Sequence, residues 1–354
     1  MFLPISMLLF SLVVLQLAAT IKKSVEEGHS AFLSPLLQSS RQQVLHERLE
    51  ELLNKHDTKG ILTLLVDSGI MKETGRGLGN LENLEVSIAK DLESNYNRIL
   101  HYLPDDLKEF FEAYKILWDV ENLKLLMCYA LRGKGSEECV SLTGPLGYLD
   151  LRSIELLSKS RLPEGVLENA LNFLPTEFSL KISPEKRWTT NELEFSLDAA
   201  AFEYLREKGE EIGTQKVRLL WDFLTGAYEV ENIVNMARLK YFKVPSEDVN
   251  KFLFSSRKLL SHTDLKRLLD AEDYSAFLLA LHETPYGKYV PTRMVDPMRF
   301  EVSLKKELQS SELEETRLDV SMERVIRFLV ELEERYDMMR KAAYFAVIKR
   351  SDEV

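Results

Sequence analysis

The chain has 354 residues, 45% of them hydrophobic, and Leu, Glu, Lys, Arg and Ala outweigh its 15 Gly and 11 Pro. That composition excludes a disordered tail and argues against an all-β fold. A formal net charge of −11 excludes a nucleic-acid binder that works through a basic surface, and two cysteines, Cys128 and Cys139, are too few for a disulfide framework or a four-cysteine zinc site.

Residues 1–21, MFLPISMLLFSLVVLQLAATI, carry no charged side chain and run into Lys22 and Lys23. About 20 apolar residues can cross a bilayer as a helix, so residues 1–24 read as an apolar N-terminal segment and a candidate membrane anchor. A signal peptide and an apolar extension without such a role are the other two readings; no basic residue precedes the apolar run as a signal would require. If the segment spans, the two lysines favour a cytoplasmic location for the rest of the chain.

Beyond it, Gly and Pro cluster at 69–79, 133–147, 175–184, 209–213 and 285–297, dividing the chain into helical stretches of roughly 15 to 35 residues. No stretch shows the sustained two-residue alternation of half-buried strands, so the fold class is all-α.

The chain repeats itself. Residues 39–70 align with residues 255–286 without a gap at an offset of 216, and Ser39, Ser40, Arg41, Leu49, Leu52, Leu53, Asp57, Leu62 and Leu65 recur. LEVSI (Leu84–Ile88), LEFSL (Leu193–Leu197) and MERVI (Met322–Ile326) each open a long helical stretch, the first with apolar residues at Leu84, Ile88, Leu92, Tyr96 and Leu100. WDVENLKLL (Trp118–Leu126) returns as YEVENIVNM (Tyr228–Met236) at an offset of 110. These marks define three cycles, at 31–135, 145–245 and 250–350. The first element of the second cycle resembles the others only loosely, and the third has no copy of the Val-Glu-Asn stretch. Units of this length are too long for a short-repeat solenoid and suggest three similar helical domains in a pseudo-threefold arrangement.

No motif carries catalysis. Gly133-Lys134-Gly135-Ser136 lacks the first glycine of a phosphate-cradling loop, and Gly75, Gly77 and Gly79 follow no strand. The six histidines are scattered and form no metal-binding pair on one helix. No cofactor site and no catalytic residue is predicted.

The repeated stretch reads as architecture. On a helix, Ile116, Val120, Leu123, Met127 and Ala130 form one apolar stripe, and Trp118, Asn122, Leu126 and Tyr129 an adjoining one, which predicts a buried Asn122. Val230, Ile233 or Val234, Ala237 and Tyr241 repeat the stripe beside Asn232. An unpartnered buried amide costs about 1–3 kcal/mol, so each Asn is expected to hydrogen-bond a neighbouring helix or loop and set helix register. Glu85, Glu194 and Glu323, near the starts of their helices, are expected to favour the helix dipole.

WDVENLKLL followed by LRGK, then VENIVNMARLK, and Leu-His-Glu-Thr-Pro-Tyr at 281–286 after SSRKLLSHTDLKRLL resemble the C subunit of the A/V-type rotary ATP synthases, the family of the d subunit in the eukaryotic vacuolar enzyme. The resemblance covers about Ala31 to Ile348. The family pattern of an acid, an Asn and a base falls on Asp119, Asn122, Lys124 and Arg132, and again on Glu229, Asn232, Arg238 and Lys240. Met127, Cys128 and Tyr129 occupy the turns where an Arg usually follows the first Asn, and the apolar stretch at positions 1–30 lies outside the pattern. The resemblance implies a non-catalytic rotor part. Three similar helical domains would form a funnel-like body on the cytoplasmic face of the membrane, peripheral to it, with the proteolipid ring and the central-stalk subunits as partners. The alternative that the apolar segment motivates is a membrane-anchored helical scaffold without a rotor role.

Overall fold

The computed structural model describes residues 58–67, 103–132, 146–182 and 189–290, together with single positions between 48 and 101, between 140 and 144 and between 297 and 304. Among the described residues every regular element is a helix, in agreement with the all-α reading. No helix among them is long and apolar enough to cross a membrane. The apolar segment 1–24, Glu85 and Glu323 lie outside the described residues.

The chain divides into two compact units, one of residues 1–112, 141–146 and 327–354, the other of residues 113–140 and 147–326. In the first unit α1 (Thr58–Asp67) buries Ile61, and α2 (Asp105–Tyr114), which starts in that unit and ends at the first residues of the second, begins with Asp105 and Asp106, acids that suit the positive end of a helix. Leu92, Tyr96 and Leu100 of the predicted stripe are buried. Tyr96 lies against Phe111 with ring centroids 5.8 Å apart and donates its hydroxyl to the Phe111 carbonyl at 2.7 Å, which satisfies a phenol that has lost its water.

The second unit opens with α3 (Ile116–Arg132), the helix of WDVENLKLL. Two short helices follow, α4 (Leu151–Leu157) and α5 (Pro163–Ala170). Asp150 caps α4 by accepting the Ser153 amide, and Pro163 starts α5 where its missing N–H costs nothing. After the single turn α6 (Thr176–Ser179) come the two long helices, α7 (Thr190–Ile212) and α8 (Gln215–Tyr241). Thr189 and Glu192 form a capping box at the head of α7. Gly213, at φ 62°, ends that helix, and Thr214 caps the next.

Beyond α9 (Ser246–Val249) and a 3₁₀ turn at Asn250–Phe252, a second pair of short helices follows. These are α10 (His262–Asp270), capped by Ser261 with Asp264, and α11 (Tyr274–His282), capped by Asp273. A 3₁₀ turn at Pro285–Tyr289 closes the described run.

Two pairs of short helices, α4–α5 and α10–α11, follow the two helices that carry the repeated stretch, α3 and α8. The helix that closes a sequence cycle packs on the second helix of the pair after it, α3 on α5 and α8 on α11. α7 lies against both α3 and α8. The core around α8 and α11 includes Val230, Ile233, Val234, Phe277 and Leu281, each buried; full burial of one such side chain is worth about 1.5–3 kcal/mol. The predicted stripe on α8 stops short of Tyr241. That residue ends the helix 48% exposed, with its ring edge-on to Phe242 and Tyr274.

Candidate functional site

The repeated stretch sits where α3 and α8 meet the chain that leads into the next helix pair, and the acid of each copy carries the contact. Asp119 is fully buried on α3. Its Oδ2 accepts the Tyr148 amide at 2.7 Å and its Oδ1 the Leu149 amide at 2.9 Å. On α8, Glu229 Oε1 accepts the Lys258 amide at 2.7 Å and the Leu260 amide at 3.1 Å, while Oε2 accepts the Leu259 amide at 2.8 Å. The first two amides in each case lie 29 and 30 residues after the acid. One joint has therefore been built twice, each time with a helix-borne carboxylate holding the backbone just ahead of the next helix pair. Amides near a helix start have no partner within the helix, which makes them natural donors to a fixed acid.

The two joints differ in strength. Glu229 takes a fourth donor, the Tyr286 hydroxyl at 2.6 Å, from the Leu-His-Glu-Thr-Pro-Tyr motif. Thr284 shapes that motif by donating to the Leu281 carbonyl and accepting the Tyr286 amide. Asn232, one turn after Glu229, accepts the Phe254 amide at 2.7 Å and donates to the Phe254 carbonyl at 3.0 Å, so both ends of its amide bracket one residue. Ser256 donates to the Thr225 carbonyl and pins the same segment. Phe254 in turn enters an aromatic group with Phe195, Phe202 and Tyr228, at centroid distances of 4.8–5.9 Å.

Lys240 adds a further clamp at the end of α8. Its ammonium donates to Ser246 Oγ and to the carbonyls of Leu269 and Ala271, at 2.6–2.7 Å, satisfying acceptors where α10 ends. Burial holds Lys240 below the ordinary lysine pKa. The corresponding position in the first copy is Ala130, which cannot make this clamp.

At the first joint the chain passes hard against the carboxylate. A Cβ on Gly147 would lie 2.2 Å from the Asp119 carboxylate, so only glycine lets the backbone approach. Burial is the largest influence on Asp119 and pushes its carboxyl up to about 7, against the pull of the Leu149 and Tyr148 amides and of Lys115.

The residues singled out from the sequence fall as follows. Asn122 and Asn232 are both buried, and the partners of Asn232 are the two backbone groups of Phe254. Glu194 is half-buried in the second turn of α7; the acid that engages the start of that helix is Glu192. Lys124 pairs with Glu121 at 2.7 Å and with Asp198 of α7 at 2.5 Å. Burial pulls its ammonium down, but the two acids outweigh it and leave Lys124 above the ordinary lysine value. Arg238 approaches Glu231 at 4.0 Å, a loose surface pair. Asp119 and Glu229, which the sequence places only in the family pattern of an acid, an Asn and a base, carry the backbone contacts, and Tyr286 of the Leu-His-Glu-Thr-Pro-Tyr stretch joins Glu229.

Chemically, these carboxylates are occupied by the protein's own donors. Among the described residues no group of His, Cys, Asp and Glu is placed to hold a metal ion.

Residues 44–334 match the family model described as ATP synthase (C/AC39) subunit. Among curated proteins the chain is similar to the C subunit of the A-type ATP synthase of Methanosphaera stadtmanae, at 23% identity over 213 residues, covering 58% of this chain and 54% of that protein. It is also similar to the same subunit of Methanocaldococcus jannaschii, at 22% over 283 residues (77% and 70%), and of Pyrococcus abyssi, at 20% over 315 residues (87% and 79%). The match thus spans about half the length of the Methanosphaera relative and more of the other two. With most of its length matched, the chain belongs to the ATP synthase (C/AC39) subunit family.

Proposed function

We infer that this chain is the non-catalytic central-stalk adaptor of an A/V-type rotary ATP synthase. It couples the membrane proteolipid ring to the central stalk, for ion-driven ATP synthesis or ATP-driven ion transport. It works at the cytoplasmic face of the membrane as a peripheral subunit built of three similar helical domains, 31–135, 145–245 and 250–350, around a pseudo-threefold axis. The names of its relatives support the complex. The observation that carries the adaptor role is the use of Asp119 and Glu229 as joints rather than as reactive groups. A part that transmits torque must resist twisting between its segments, and a buried carboxylate bound to two or more backbone amides fixes both distance and orientation where one helix pair succeeds another.

The test is co-purification. The tagged full chain, expressed in its own host and extracted from membranes in mild detergent, is expected to bring down the proteolipid and the central-stalk subunits in fixed ratio. Recovery of the chain from membranes without either would overturn the reading and favour the anchored scaffold.

A further inference from the structure

The turn between α4 and α5 is opposite in character to the turn between α10 and α11. Leu156 to Pro163 reads LLSKSRLP, with two bases, Lys159 and Arg161, and no acid. Asp270 to Tyr274 reads DAEDY, with three exposed acids and no base. In the first turn Leu156 is 52% exposed and Leu162 66%, and Lys159 and Arg161 are exposed between them. Neither base has an ion-pair partner among the described residues. The nearest acids, Glu155 and Glu164, stand exposed on the helices to either side.

The backbone of the turn holds its own shape. Ser158, Lys159 and Ser160 donate their amides to the carbonyls of Ile154, Leu156 and Leu157 at 2.9–3.3 Å, and the Ser158 hydroxyl donates to the Glu155 carbonyl. Leu157 and Pro163 are buried and anchor the two ends. The turn thus presents its two leucines and two bases without needing a partner to order it. A single exposed leucine is ordinary on a protein surface. Two of them beside two unpaired bases in one fixed turn suit the boundary of an anionic bilayer, where apolar side chains enter the acyl edge and bases meet phosphate oxygens. A chain of net charge −11 is repelled by such a surface as a whole, so close approach requires a local basic contact, which the acidic turn at 270–274 could not supply. We propose that the α4–α5 turn is a membrane-surface contact, with Leu156 and Leu162 entering the interface and Lys159 and Arg161 meeting the phosphates of anionic lipids. The proposal rests on the reading of the chain as a peripheral membrane subunit, and protein-free vesicles test it separately from co-purification with the ring and stalk.

The test uses the full chain with Cys128 and Cys139 replaced by Ala and a polarity-sensitive fluorophore attached at Ser160→Cys, inside the basic turn, or at Glu272→Cys, in the acidic one. Each is mixed with protein-free vesicles of phosphatidylcholine, alone or together with phosphatidylglycerol. The label at 160 is expected to enter an apolar environment on the vesicles containing phosphatidylglycerol and to stay in water on phosphatidylcholine alone, while the label at 272 stays in water on both. Lys159→Glu combined with Arg161→Glu is expected to raise the lipid concentration needed for the response by about tenfold or more, and Leu156→Ser combined with Leu162→Ser to weaken it as well. All four side chains are exposed, so both variants are expected to keep wild-type helix content by circular dichroism. A label at 160 that stays in water on the anionic vesicles, whether or not the chain is bound to them by another segment, would overturn the proposal. So would an equal response on phosphatidylcholine alone, or one that the charge reversal leaves unchanged. A label silent on these vesicles but shifted on membranes that carry the proteolipid ring would assign the turn to a protein partner and overturn it equally.

Discussion

Tyr286 donates its hydroxyl to Glu229 at 2.6 Å across 57 residues of chain, with both side chains buried. The bond joins the end of the α10–α11 pair to the helix on which that pair rests, and it completes the ring of donors around the Glu229 carboxylate. Tyr286→Phe keeps the ring and its packing and deletes only the donor. We expect a loss of about 1.5–3 kcal/mol, the usual worth of a hydrogen bond to a charged group, read as a lower urea midpoint at unchanged slope.

Asn232→Leu removes an amide that serves a buried carbonyl and a buried N–H of the same residue. Both Phe254 groups then lose their partner in a site closed to water. We expect a loss of about 2–4 kcal/mol by thermal or urea unfolding, from two unsatisfied groups at about 1–3 kcal/mol each with partial relaxation. Asn232→Asp keeps the shape but turns a donor toward the carbonyl into a second acceptor, and is expected to cost as much.

Lys240→Met conserves length and apolar bulk while withdrawing three donated bonds from Ser246, Leu269 and Ala271. Ser246 donates to the Leu269 carbonyl on its own account, so that acceptor keeps one partner. A loss of about 1–3 kcal/mol is expected, mainly from the Ala271 carbonyl. It should appear as faster hydrogen exchange at the end of α10 before global unfolding.

Asp119 supplies a pH dependence with a definite sign. Its carboxyl is raised in the folded chain from 3.8 to about 7, because burial opposes the charge. The folded state therefore holds its proton more tightly than the unfolded state. The stability this confers is fully present below the ordinary aspartate value and is lost as pH rises through about 7. Asp119→Asn carries no such titration. The stability of the wild type relative to Asp119→Asn is expected to fall between about pH 4 and pH 7, by up to about 1.4 kcal/mol per pH unit, and to level off above. A difference that is flat or rises over that range would mean that the two amides and Lys115 keep Asp119 ionised throughout.

Gly147→Ala tests the close approach at the same joint. The added carbon would lie 2.2 Å from the Asp119 carboxylate, so either the acid or the backbone at 147–149 must shift and the amide bonds must stretch. A loss of about 2 kcal/mol or more is expected. The second joint is expected to keep its wild-type exchange rates at Lys258 and Leu259.

The helical class was legible in the sequence because it rests on periodicity. Apolar residues at three- and four-residue steps predicted the buried Leu92, Tyr96 and Leu100, and most of the buried stripes of α3 and α8, with Ala130 half-buried and Tyr241 exposed at their ends. The α4–α5 pair was harder to match to α10–α11, since short amphipathic helices tolerate many sequences and keep only caps such as Asp150, Ser261 and Asp273. The roles of Asp119 and Glu229 were not legible at all. An acid on a helix reads as solvent-facing, and the amides that hold it come from residues 29 to 31 positions away, which carry no side-chain signature of the bond. Tyr286 and Lys240 were hidden for the same reason, as their partners are a distant carboxylate and two backbone carbonyls.

The rotor reading makes one demand that an unrelated scaffold would not meet: the chain must link ion flow to ATP chemistry without performing either. Inverted membrane vesicles from a host lacking the chain, assayed for ATP hydrolysis and for ATP-driven ion uptake, measure this directly. Hydrolysis by the catalytic head should persist while ion uptake is lost, and uptake should return when the full chain is restored. Ion uptake at the normal rate in its absence would contradict the account.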